Sequence, residues 1–291
     1  MEVFRKKIAE RIEAGDKLKD IAMRFSINVK LFREMEVPEK TMRELLKEDL
    51  GLKSLAKTRV QMLTSLQREK RVDRCRKIKN FIKNDLKGRI IVFSDEKTFS
   101  VDKYTNRRND RYISTSTKST DPEIRFVPRS KDPQKAMMLG FVGSDSKAFP
   151  PIWFDGSVNA TTYQKALVKH VFSVLEATYG HNGYICTQDG APVHTSKAIQ
   201  KYLENILGSK GFWSKEMWPP SSPNLDPLDF SIWQHIENKA CGVYHCNISD
   251  LKATVNDVWA AMDETYIRKS CSDFRKRLNL CIDAEGSIFE K

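Results

Sequence analysis

Apolar positions along the chain fall into two rhythms, one short and continuous, the other spaced by three or four. Arg89-Ile90-Ile91-Val92-Phe93 is a brief run of β-branched and aromatic residues behind Lys87-Gly88, and it predicts a buried strand rather than a helix. Tyr184-Ile185-Cys186-Thr187 predicts a second strand, entered from Gly183 and stopped by the glycine and proline of Gln188-Asp189-Gly190-Ala191-Pro192. Residues 136–142 and 149–154 read as further strands, and residues 161–179 and 195–207 as helices. Another helix is expected where Asp226 can cap, Pro227 can open the first turn, and Leu228, Ile232 and Ile236 recur every four residues. Near the end of the chain Ile267, Cys271, Phe274, Leu278 and Cys281 share one helical face and are expected in a core.

Three of these elements carry an aspartate at comparable places. Asp95, in FSDEKTF, is expected just past the carboxyl end of the first strand, and Asp189, in TQDGAPVHT, at the same position after the second. Ligands of open α/β sheets bind outside the carboxyl ends of strands, so adjacent strands of this type would bring the two acids together. Asp229, in PPSSPNLDPLDFSIW, falls on the first turn of the third element, and the 39 residues between it and Asp189 leave room for a helix and a crossover back to the site. Three converging carboxylates would hold hard divalent cations, and two such ions suit an in-line attack on phosphate. Each motif alone has a plainer meaning. Asp-Glu-Lys after a strand is an ordinary polar turn, Asp-Gly is a common turn dipeptide, and an acid on a first helical turn favours the positive end of the helix dipole. His194, five residues past Asp189, could orient an attacking group or a phosphate, or simply pack at the start of a helix; His235 could support the site or be a surface residue.

Charge changes the picture at the amino-terminal end. The 291-residue chain has a formal net charge of +12, and residues 1–88 hold 24 Lys and Arg against 14 Asp and Glu. Residues 57–83, with ten basic and two acidic residues, read either as a phosphate-tracking stretch or as a solvated helical face. Upstream, residues 3–14, 17–25 and 38–51 have helical spacing and resemble a helix-turn-helix module, with the third helix in the major groove, although the twelve residues between Phe25 and Pro38 exceed the usual turn. A small helical bundle without base readout fits the same pattern. The candidate DNA contacts are Lys40, Thr41 and Arg43 in that third helix, with Lys57, Arg59, Arg71, Arg74 and Arg76 in the basic stretch. No apolar run is long enough for a membrane span and the amino-terminal residues lack a secretory apolar segment, so a soluble intracellular protein is expected. Six cysteines stand without a C-x-x-C pair; Cys241, His245 and Cys246 come nearest to a zinc pattern but lack a second ligand pair.

The segments FSDEKTFSVD, NRRNDR, QDGAPVHTSKAIQKYLEN and MWPPSSPNLDPLDFSIWQHIENK resemble the core blocks of mariner-type transposases in order and approximate spacing, and LTSLQREKRVDRCRKI resembles that family's linker. The resemblance runs from about Thr41 onward. It implies an α/β, ribonuclease-H-like mixed sheet flanked by helices (residues 89–291), preceded by a shortened helix-turn-helix-like region (1–54) and a basic linker (55–88). It further implies an Asp-Asp-Asp triad at Asp95, Asp189 and Asp229 that binds two Mg2+ or Mn2+ ions, cuts double-stranded DNA at transposon terminal repeats and joins it to target DNA. A homodimer follows from the same resemblance, and a nuclear location is expected from the DNA substrate. The chain departs from the family in having room for one helix-turn-helix module rather than two, Asp132-Pro133 in place of His-Pro, and Gly190 in place of Asn. A catalytically silent, truncated or domesticated relative and a stand-alone metal-dependent endonuclease are the alternative readings.

Overall fold

A long central strand sets the architecture of residues 62–105 and 111–290, which the computed structural model describes. Strand β1 runs Ile90–Ser100, flanked by β2 (Lys135–Gly143) and β4 (Tyr184–Cys186), with β3 (Ile152–Phe154) at the far edge, in the order β3-β2-β1-β4. Pairing is antiparallel between β1 and β2 and between β2 and β3, and parallel between β1 and β4. The parallel partner stops at Val92↔Cys186, while the antiparallel ladder continues from Val92↔Gly143 to Ser100↔Lys135.

That asymmetry corrects one expectation. Asp95 was expected past the end of a strand covering 89–93, yet it lies in the middle of β1. The polar run Ser-Asp-Glu-Lys-Thr looks like a turn, but β2 supplies hydrogen-bond partners along its whole length, so the backbone stays extended. The expected strand 149–154 shortens to Ile152–Phe154, because Pro150 and Pro151 cannot donate to a ladder.

Helices cover both faces of the sheet. On one face lie α1 (Ser65–Asn84), α5 (Trp233–Ala240), α6 (Ile248–Ala260) and α7 (Glu264–Asp283). They bury Ile91, Phe93 and Phe99 of β1 against Trp213, Trp233, Trp259, Ile267 and Phe274. On the other lie α2 (Ala160–Ala166), α3 (Ser173–Tyr179) and α4 (Lys197–Leu207), which cover Val92, Leu139 and Phe141 with Tyr163, Leu167, Leu175, Ile199 and Leu203. Alternate residues of β1 therefore face different cores, as a strand requires. The helix expected over 161–179 is interrupted by a π-helical segment, Leu167–Phe172, between α2 and α3. Asn159 begins it with a capping box, its side chain accepting from the backbone N–H of Thr161 and Thr162. Helix α4 starts two residues later than expected, after Ser196 accepts from the Ile199 N–H.

Helix α1 was expected within a basic linker. Its inner face, Arg71, Cys75 and Ile78, is instead buried in the core beside α7. Gly286, just past α7, has φ +72° and approaches α1 so closely that a Cβ there would lie 2.2 Å from the Arg68 carbonyl oxygen. The expected N-terminal helices, and with them Lys40, Thr41, Arg43, Lys57 and Arg59, lie outside the described residues.

Candidate active site

Asp95 and Asp189 reach the same end of the sheet through register. Val92 and Cys186 are parallel partners, and each acid follows its partner residue by three positions. Asp95 shares its face of β1 with Phe93 and Phe99, toward α5. Opposite it on β2 stands Gly140, where a Cβ would lie 2.6 Å from the ring carbons of both Trp233 and Trp259. This is one place where glycine is required by space, since its absent side chain admits the indole that meets Asp95: Trp233 Nε1–H donates to Asp95 Oδ2 at 2.7 Å.

Asp229 arrives by the third route. Asp226 accepts from the Leu228 N–H at 2.8 Å and opens a π-helical segment, Leu228–Ile232, that runs into α5. Asp229 sits in the first turn of that segment and comes within hydrogen-bonding reach of Asp95. The loop before it is held by arginines. Arg71 is 1% exposed, and its guanidinium donates to the carbonyls of Gly286 (2.8 Å) and Ser221 (2.6 Å) and to Ser222 Oγ (2.6 Å). Arg74 donates to the Trp218 carbonyl at 2.8 Å, and Arg277 of α7 to the Asn224 carbonyl at 2.8 Å. Arg71 is therefore corrected from the candidate DNA contacts: a buried guanidinium whose donors are spent on the protein cannot reach a phosphate. Arg74 is half-buried and tied to the same loop, whereas Arg76 is exposed.

The Asp189 side is organised differently. Asp189 Oδ1 accepts from the Ala191 N–H at 2.9 Å and from His194 Nδ1 at 2.6 Å. His194 is buried, and its Nε2 faces Glu96 Oε1 at 3.2 Å, with the ring 4.7 Å from that of Tyr163. Gln188 in turn donates to the Tyr163 hydroxyl at 2.8 Å. His194 thus binds two carboxylates, while His235 stacks on Tyr266 at 4.6 Å and has no recorded contact with the acids.

Electrostatics follow from these partners. Burial pushes the Asp95 carboxyl up to about 8, helped by the charge of Asp229 and opposed by the Trp233 hydrogen bond. Burial and the charge of Asp189 push Asp229 up to about 6, opposed by Lys97 and by a hydrogen bond with Asp95. Asp226, fully buried beside both, is driven well above the carboxylate range by burial and by the Asp95 charge. Burial acts the same way on Asp189, but the hydrogen bond and charge of His194 outweigh it and hold this carboxyl below its ordinary value. Burial would lower His194, yet its bonds to Asp189 and Glu96 raise it to about 10, so the ring is a doubly protonated donor at neutral pH.

A cavity of about 350 Å3 opens beside the acids, lined by Asp189, Gly190, Ser221, Pro223, Asp226 and Asp229 among others. The donors around it are carboxylate oxygens, the ligand type that hard cations such as Mg2+ and Mn2+ take. Among the described residues no group of three or more His, Cys, Asp or Glu is already spaced to hold a metal ion. Asp95 and Asp189 each accept from a protein donor through one carboxylate oxygen, Asp95 from Trp233 and Asp189 from His194, and each has a second oxygen. The chemistry of the donor set fits a divalent cation; drawing the three acids around one requires side-chain movement. At Cys241, His245 and Cys246, His245 faces the Ala240 carbonyl and Asp250.

In fold the chain is similar to solved proteins. It is similar to the mariner Mos1 paired-end complex with Mg at TM-score 0.78 and 19% identity, over 94% of this chain and 79% of that one. The Mos1 paired-end complex with left transposon end gives TM-score 0.74 at 20% identity, over 90% and 74%. The chain has the fold of a mariner-type transposase. The Mos1 catalytic domain with Raltegravir and Mn matches at TM-score 0.59 and 20% identity, over 79% of this chain and all of that one. In sequence, the chain is 26% identical over 136 residues to the Tcb2 transposase of Caenorhabditis briggsae, a stretch covering 45% of this chain and 46% of the relative. The match thus spans about half the length of that relative. No protein-family model matches the chain. No helix among the described residues is long and apolar enough to cross a membrane.

Glu96, Trp233, Asp226 and Arg71 are site residues that the sequence did not single out as such. Glu96 and Trp233 could have been found by strand and helix periodicity, since Glu96 adjoins Asp95 on the opposite face of β1 and Trp233 follows Asp229 by four. Arg71 carried no local signal, because its partners are about 150 and 215 residues away.

Proposed function

We propose that the chain is a metal-dependent DNA transposase that hydrolyses phosphodiester bonds at transposon ends and transfers the freed strand to target DNA. The observation that carries this reading is the meeting of Asp95, Asp189 and Asp229, from a strand, a loop and a helix, beside one open cavity. Asp95, Asp189 and Asp229 would hold two Mg2+ or Mn2+ ions. When bound, such ions lower the pKa of an attacking water or hydroxyl and stabilise the departing oxygen. The chain itself supplies placement. Trp233 aims Asp95, His194 holds Asp189 ionised, and the arginine-clamped loop delivers Asp229. A divalent charge among these acids would release the proton that Asp95 retains at neutral pH and favour the ionised form of Asp229, so the site and its cations are expected to assemble together.

Double-stranded DNA, with terminal repeats and target as its two forms, is the proposed substrate, engaged by a homodimer in the nucleus. Arg76, exposed on α1, remains a candidate phosphate contact, as do Lys40, Thr41, Arg43, Lys57 and Arg59 outside the described residues. The alternative readings are a DNA-binding relative without chemistry and a stand-alone metal-dependent endonuclease. A strand-transfer assay with paired ends separates the possibilities. Joining supports the transposase, cutting without joining an endonuclease, and binding alone the silent relative.

A further inference from the structure

The donor that fixes Asp95 comes from the helical run that delivers Asp229. Trp233 follows Asp229 by four residues, so both side chains leave on one side of the helix. The Trp233 N–H meets Asp95 Oδ2 at 2.7 Å across a separation of 138 residues. Its ring is 2% exposed, edge-on to Phe99 at 6.1 Å and tilted against Trp259 at 5.7 Å, so the indole cannot swing away without repacking the core. Gly140 keeps the space open directly opposite Asp95. Lys97, two residues along the same face of β1, is engaged by Glu237 at 3.1 Å, one turn beyond Trp233.

We propose that Trp233 is a positioning residue for the metal-binding carboxylate Asp95: its N–H holds one oxygen in place, leaves the other for the cation, and ties Asp95 to the helix carrying Asp229. This inference rests on the metal-dependent reading above. An indole N–H suits the role because it is a donor only, cannot itself ligate a cation, and is fixed by a large rigid ring.

Mn2+ binding to the full chain, followed by electron paramagnetic resonance without DNA, is expected to weaken about ten- to a hundred-fold in Trp233→Phe, as for other residues that orient metal ligands. The same loss is expected on replacing Trp233 with benzothienylalanine, which keeps the ring size and removes only the N–H. Denaturant midpoints without metal, measured for Trp233→Phe, Asp95→Ala and the double variant, are expected to be non-additive, because either single change breaks the same bond. Unchanged Mn2+ affinity in the benzothienylalanine protein, or additive midpoints, overturns the inference. A wild-type chain that binds no Mn2+ removes the metal-dependent reading itself; non-additive midpoints in that case would reduce the bond to a structural tie and overturn the positioning role with it.

Discussion

Asp95 and Asp189 occupy equivalent places, three residues beyond paired positions on parallel neighbours, yet their proton affinities move in opposite directions. On the Asp95 side the charges that bear on the carboxyl are those of other acids, Asp229 foremost, and its direct donor is the neutral Trp233 N–H. On the Asp189 side the carboxylate is more open to solvent and grips a histidine that a second acid, Glu96, helps to keep charged. The contrast teaches that register brings the acids together but partners decide their charge. One side of the site gives up its protons only at higher pH, and the other is already ionised.

The largest expected effect tests whether both sides serve one reaction. Asp95→Asn, Asp189→Asn and Asp229→Asn are each expected to reduce metal-dependent DNA nicking roughly a thousand-fold or more, with the fold retained by circular dichroism. Full nicking by any one of them removes that acid from the mechanism. Chelation with EDTA is expected to abolish nicking in the wild type.

Stability should then divide the clamp from the acids. Arg71→Ala is expected to lower unfolding free energy by about 3 kcal/mol, since it leaves buried carbonyls without their charged donor. A loss below about 0.5 kcal/mol in a denaturant titration would remove Arg71 from the support of the Asp229 loop. His194→Ala is expected to cost about 2 kcal/mol, less than a fully buried pair because the Asp189 side chain is 43% exposed. Asp95→Asn, by contrast, should leave the metal-free midpoint unchanged or raise it, because it removes repulsion. Equal losses in His194→Ala and Asp95→Asn would erase the distinction between the two sides.

Titration sharpens it further. Asp95 and Asp229, raised to about 8 and about 6 from 3.8, contribute stability that is complete below pH 4 and is lost as pH rises through those values. His194, raised to about 10 from 6.5, adds stability that is complete below 6.5 and lost as pH rises through 10. Asp189, lowered from 3.8, contributes the other way, losing its stability only at stronger acidity. The metal-free Tm is therefore expected to fall from about pH 5 to about pH 9. Millimolar Mg2+ should flatten the part due to Asp95 and Asp229. An unchanged slope with Mg2+ would detach these acids from cation binding.

The smallest effect concerns the outer face of α1. Arg76→Ala should alter stability by no more than about 0.5 kcal/mol. DNA affinity should fall and its logarithmic salt slope should become shallower by about one. An unchanged slope would leave α1 with a packing role only.

Much of this site is legible along the chain. The apolar runs before Asp95 and Asp189 gave two adjacent strands, and Asp226-Pro227 gave the start of the helix bearing Asp229, because these depend on local propensity and capping. The length of β1 was not legible. Its polar second half is a strand only because β2 pairs with it. The role of Arg71 was misread for a related reason: in a stretch with ten basic residues, itself included, its charge looked like an outward face, and the burial pattern that turns it inward depends on α7 and the loop 218–226.

The sequence by itself determined the elements, the order of the three acids, and the motif strings that resemble those of mariner-type transposases, since covalent order and short-range periodicity are written in neighbouring residues. Only the tertiary structure decided which acid holds a proton, which histidine meets the site and which arginines face inward. Those properties depend on burial and on partners far away in the chain: Trp233 with Asp95, His194 with Glu96, Arg71 with Gly286. Charge in a folded protein is set by the groups within a few ångströms, and folding alone chooses them.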